Sequence, residues 1–114
     1  MIFITDHTYE ELVDVLKSYM EEEYVEFINK YYEEALKVYA GMKRATGADY
    51  ILHPINVAYI LATLKMDPLT IGCALIHEAI SLEKMTYEEI EEMFGKDAAD
   101  IVKSLQGVCR LVRL

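Results

Sequence analysis

The chain has 114 residues, 54% hydrophobic and 27% charged, and its 20 acidic residues against 11 Lys and Arg give a net charge of −9. This is a globular composition of single-domain size, 1–114, large enough to bury a core without disulfides. The acidic balance repels nucleic-acid phosphates and argues against a nucleic-acid partner, and no apolar run is long enough to cross a membrane.

The opening MIFITDH has neither the charged start nor the apolar core of a signal peptide. Thr8-Tyr9-Glu10-Glu11 then reads as a helix start, with Thr8 as cap and Glu11 reaching back. The spacing predicts a helix from about Tyr9 to Met20, with Leu12, Val15, Leu16 and Tyr19 on one face. A longer helix is expected from about Glu23 to Ala45, with a broad apolar face of Val25, Phe27, Ile28, Tyr31, Tyr32, Ala35, Leu36, Val38, Tyr39 and Met42. Gly47 suits the position just beyond its end.

His53-Pro54 opens the next helix, about 54–65, and Asp67-Pro68 opens another in the same way. The second of these is apolar all round (Leu69, Ile71, Cys73, Ala74, Leu75, Ile76), which places it in the middle of the molecule. Thr86-Tyr87-Glu88-Glu89 repeats the capping signal for a helix of about 87–94 stopping at Gly95, and a last helix spans about 97–106 and ends near Gly107. The expected fold is all-α, a bundle of about six helices joined by short loops. Cys73 and Cys109 stand far apart with no CxxC and read as reduced thiols, so a cytoplasmic location is expected.

Chemistry concentrates between residues 43 and 83. The short link between the two central helices makes them antiparallel neighbours, so the start of one lies beside the end of the other and His53 can approach His77, with Glu78 adjacent. Two imidazoles and a carboxylate suffice to hold a divalent ion when water fills the other positions. The plainer alternatives are a backbone-bonded His53, a half-buried His77 satisfied by one acceptor, and a Glu78 that faces water or pairs with Arg44, His53 or His77. Lys43-Arg44 reads equally well as a solvated pair near a helix end, and His7 as a tail residue without a specific role. The acidic runs around Glu22 and Glu89 read as solvated faces, and the nine Tyr as core and rim packing.

ALKVYAGMKRATGADYILHPINVAYILATLKMDPLTIGCALIHEAI, followed by TYEEIEEMFGKDAADIVKSLQGVCRL, resembles the N-terminal HD hydrolase domain of the RelA/SpoT (p)ppGpp synthetase/hydrolase family over roughly residues 30–111. The resemblance implies an all-helical HD domain that, in active members, holds one divalent ion, usually manganese, and removes the 3′ pyrophosphate of (p)ppGpp. It assigns Arg44, with Lys43 beside it, to guanine-nucleotide binding, and His53 and His77 to the metal. Glu78 stands where the family has Asp. Ser81 and Leu82 stand where active hydrolases carry the Glu-Asp pair that positions the attacking water, and Tyr39 and Met42 where many carry His and Gln. A further ligand Asp of the family lies on a later helix, beyond Leu114.

Glu for Asp adds about 1.5 Å of reach, which a rotamer change can absorb. Leu82 can neither take a proton nor orient water, and Ser81 is a poor base near neutral pH. The expectation is therefore a degenerate HD domain without hydrolase activity and with no cofactor, serving a structural or regulatory role in (p)ppGpp metabolism. The expected partners are a guanine nucleotide, a synthetase domain or a second copy. The alternatives are a manganese-dependent (p)ppGpp hydrolase, with Glu83 standing in for a missing acid, and a nucleotide sensor that keeps Arg44 without turnover.

Overall fold

The computed structural model describes residues 7–112, with side chains over 7–105; residues 1–6 and the side chain of Cys109 lie outside the described residues. Six helices follow one another: α1 (Tyr9–Lys17), α2 (Glu22–Val38), α3 (Leu52–Thr63), α4 (Pro68–Leu75), α5 (Tyr87–Phe94) and α6 (Lys96–Val112). Among the described residues there is no strand, only an isolated bridge between Lys43 and Asp49.

Local chemistry starts the helices. At α1 the Glu11 N–H donates to Thr8 Oγ1 at 3.1 Å while Thr8 N–H donates to Glu11 Oε1 at 3.1 Å. At α5, Glu89 N–H and Thr86 Oγ1 repeat the bond at 3.1 Å, and Thr86 N–H donates to Glu89 Oε1 at 3.0 Å. Each pair satisfies two amide donors that a bare helix start would leave open. Asp67 caps α4 by accepting from Thr70 N at 3.2 Å and Thr70 Oγ1 at 2.6 Å, and Pro68 occupies the first turn, where its missing N–H costs nothing.

Helix α4 is the hub, packed by α2, α3 and α6, with α1 closing against α3 and α2, and α5 against α6. Its residues Ile71 to Leu75 are all buried. Around them lie Leu12 and Leu16 from α1, Ile28, Tyr31 and Ala35 from α2, Ile55 and Ala58 from α3, Ile90 from α5, and Ala98 and Val102 from α6. Each fully buried Leu or Ile contributes about 1.5–3 kcal/mol. Cys73 is wholly buried, which pushes its thiol up to about 12.

Two boundaries differ from the sequence reading. Helix α2 stops at Val38 rather than near Ala45: Tyr39 still faces the core, but Gly41 takes φ 75° and turns the chain. Residues 42–50 form a small hairpin, with Tyr50 N–H donating to Met42 O at 3.0 Å and Arg44 N–H to Ala48 O at 2.9 Å. Gly47, at φ 89°, serves that hairpin and not the helix end. Helix α6 runs through Gly107 to Val112; a single Gly inside a helix costs only about 1 kcal/mol and need not end it. His7 is not an idle tail residue. Its N–H donates to Asn56 Oδ1 at 2.8 Å, and its ring stacks on Tyr59 with centroids 3.6 Å apart, holding the chain against α3.

Candidate functional site

Helices α3 and α4 are antiparallel neighbours joined by a tight turn in which Lys65 takes φ 57°. His53 sits in the first turn of α3, and His77 lies two residues past the end of α4. The packing brings their rings to 5.8 Å between centroids. Glu78 is the residue between them. Its Oε1 lies 3.1 Å from His53 Nε2 and 3.4 Å from His77 Nε2, and its Oε2 accepts a hydrogen bond from the Tyr50 hydroxyl.

Glu78 is 2% exposed, so its charge is sustained by these partners and not by water. Burial pushes its carboxyl up, but the hydrogen bonds from His53, His77 and Tyr50 outweigh burial and hold it well below the usual carboxylate range. The site therefore carries an anion near neutral pH. His77 Nδ1 lies 2.5 Å from Ala74 O. A carbonyl only accepts, so Nδ1 carries a proton, and the ring turns its Nε2 toward the Glu78 carboxylate. Nε2 and Glu78 Oε1 face each other at 3.4 Å, a separation that a proton or a metal cation can bridge.

The donors suit a divalent ion. One ligand atom from each of His53, His77 and Glu78 lies within 4.8 Å of the others, and donors bound about 2.1 Å from a common ion stand roughly 3 Å or more apart. A backbone acceptor already fixes the His77 tautomer, as metal-binding imidazoles require.

Outside the cluster a cleft of about 380 Å³ is lined by Lys43, Arg44, Ala45, Tyr50, His53 and Glu78. Arg44 is exposed on its rim, and Lys43 is ion-paired with Asp49 across the hairpin. A larger depression of about 520 Å³, between the α1–α2 and α3–α4 turns, holds Lys65 with Glu21 and Asp67 but no convergent set of donors.

Ser81 and Leu82 follow the site on the next turn of chain. After α4 the chain coils through tight turns, with Leu82 N–H donating to Glu78 O at 2.9 Å and Glu83 at φ 59°. The exposed Ser81 turns its Oγ back to Glu78 O at 3.1 Å, and Leu82 packs on the core. Glu83 is exposed and is not among the grouped donors. Tyr50 is the residue that sequence reasoning missed. Its phenol meets Glu78 across 28 positions of chain, and the only available signal was a tyrosine three residues before His53.

A family model described as HD domain matches residues 31–114. The chain is 34% identical over 108 residues to the bifunctional (p)ppGpp synthase/hydrolase SpoT of Escherichia coli, covering 95% of this chain and 15% of that protein. It is 39% identical over 102 residues to a guanosine-3′,5′-bis(diphosphate) 3′-pyrophosphohydrolase of Aquifex aeolicus, covering 90% of this chain and 14% of that protein. It is 34% identical over 101 residues to the GTP pyrophosphokinase rsh of Brucella ovis, covering 89% and 14%. The chain thus spans about one-seventh of the length of these relatives. The chain belongs to the HD-domain family, and it is similar to part of RelA/SpoT-type (p)ppGpp synthase/hydrolases.

Proposed function

We propose that this HD domain recognises a guanine nucleotide of the (p)ppGpp type but does not hydrolyse it, acting as a structural or regulatory domain in (p)ppGpp metabolism. One observation carries the reading. Among the described residues a single carboxylate, Glu78, meets the imidazole pair, while Ser81 is turned back on its own backbone and Leu82 lies against the core. Removing a general base costs about 10²–10⁴ in rate, and neither residue can replace one.

His53, His77 and Glu78 would hold a divalent ion, and manganese is the candidate. Such an ion, when bound, supplies a Lewis acid and lowers the pKa of water. The chain's own residues do the rest. Glu78 provides the anionic oxygen, His77 presents its Nε2 from a ring held by Ala74, and Arg44 offers a guanidinium at the cleft rim suited to guanine-edge or phosphate contacts. With one carboxylate the hold on the ion is weak. Lys43, held by Asp49, contributes positive charge at the cleft rim but is not free to close on a ligand without breaking that pair.

A second reading, a manganese-dependent (p)ppGpp 3′-pyrophosphohydrolase, is favoured by the convergence of the three donors and by the names of the relatives. Calorimetry with ppGpp, joined to analysis of the products, separates the two. The proposal expects heat of binding that falls in Arg44→Ala and an intact nucleotide after incubation with manganese. Equal heats from both proteins would remove the nucleotide reading, and conversion of ppGpp to GDP would favour the enzyme.

A further inference from the structure

We propose that Tyr50 is the positioning residue of the cluster: its hydroxyl takes one oxygen of Glu78 and aims the other at the two imidazoles. A glutamate carboxylate turns freely about its last bond, and its two oxygens are equivalent until something distinguishes them. Here the two are separated. Oε2 accepts from the Tyr50 hydroxyl, and Oε1 stands 3.1 Å from His53 Nε2 and 3.4 Å from His77 Nε2. At 2% exposure, bulk water does not do this work.

Tyr50 is itself held in place. Its N–H donates to Met42 O at 3.0 Å, closing the hairpin that α2 feeds. Its ring lies 5.4 Å from that of Tyr39 and presents an edge contact to His53 at 6.2 Å, inclined by 72°. The phenol thus has a fixed backbone and two aromatic neighbours, and its hydroxyl leaves Glu78 one direction in which to present Oε1. Partners of this kind behind a ligand commonly carry 10–100-fold of metal affinity. The consequence is a carboxylate that offers a cation a single oxygen, in a donor set of two nitrogens and one oxygen. That consequence rests on the proposed reading of the cluster as a cation site; the placement of Glu78 by Tyr50 does not.

The test compares the native chain with Tyr50→Phe, which keeps the ring and removes only the hydroxyl, and with Tyr59→Phe as a control for loss of a phenol elsewhere. Nitrogen-15 spectra of the His53 and His77 imidazoles are recorded without metal, and manganese affinity is measured by electron paramagnetic resonance. We expect Tyr50→Phe to move both Nε2 signals and to weaken manganese binding about tenfold or more, with Tyr59→Phe leaving the signals and the affinity in place. Imidazole signals in Tyr50→Phe that superimpose on the native ones would overturn the assignment. If the native chain binds no manganese, the cation reading fails and the imidazole comparison alone decides the role of Tyr50.

Discussion

The ring of Tyr31 lies across Gly72, so close that a β-carbon on Gly72 would fall 2.7 Å from Tyr31 Cδ1. This is where α2 meets α4. Tyr31 cannot swing aside easily, because Phe94 stacks on it at 4.0 Å between centroids and Phe27 lies 5.3 Å away. Overpacking of this kind costs about 1–3 kcal/mol, and the better helix propensity of Ala returns about 1. Gly72→Ala should therefore destabilise the chain by up to about 2 kcal/mol and lower its unfolding midpoint by several degrees. A midpoint equal to or above the native one would contradict the close packing of α2 on α4.

Asp67 gives a pH dependence with a defined sign. Hydrogen bonds from the Thr70 side chain, then from nearby amides, hold its carboxyl below the ordinary 3.8. The folded state therefore binds fewer protons than the unfolded one in that range. The cap's contribution is complete above 3.8 and is lost as pH falls through the lower folded value. Asp67→Ala should cost about 1 kcal/mol at pH 7, and the gap from the native chain should narrow at a pH below 3.8. Urea unfolding at both pH values checks this, and a gap that persists undiminished in acid would rule out the charged cap.

Ile60 on α3 and Leu64, which caps its C-terminal end, are 56% and 66% exposed. Apolar residues so placed suit contact with a second copy or another domain. Ile60→Lys combined with Leu64→Glu should leave the circular dichroism spectrum unchanged and reduce self-association at high concentration, as measured by sedimentation equilibrium. A native chain that stays monomeric at millimolar concentration would contradict the self-association reading.

Much of the architecture was legible because its determinants are local. The capping boxes at Thr8 and Thr86 act over three residues, and the all-apolar run from Ile71 to Ile76 could only be central. The end of α2 was not legible. Tyr39 and Met42 continue the apolar rhythm of the helix, and the turn depends on the left-handed backbone of Gly41, which a periodicity count does not register. His7 was missed for a related reason: its partners, Asn56 and Tyr59, lie about fifty residues away. At the site, the approach of His53 to His77 followed from a short link between helices. The Tyr50 hydroxyl on Glu78 had no such cue, because it depends on a hairpin that closes only when Tyr50 bonds Met42.

The central claim is that the donors around the imidazoles remain while the acids that ready water are gone, and one assay addresses it directly. Pyrophosphate release from ppGpp with manganese is followed for the native chain beside Ser81→Glu/Leu82→Asp. The account predicts no release above the protein-free rate from the native chain, and measurable release once both carboxylates are restored. Steady turnover by the native chain would contradict it.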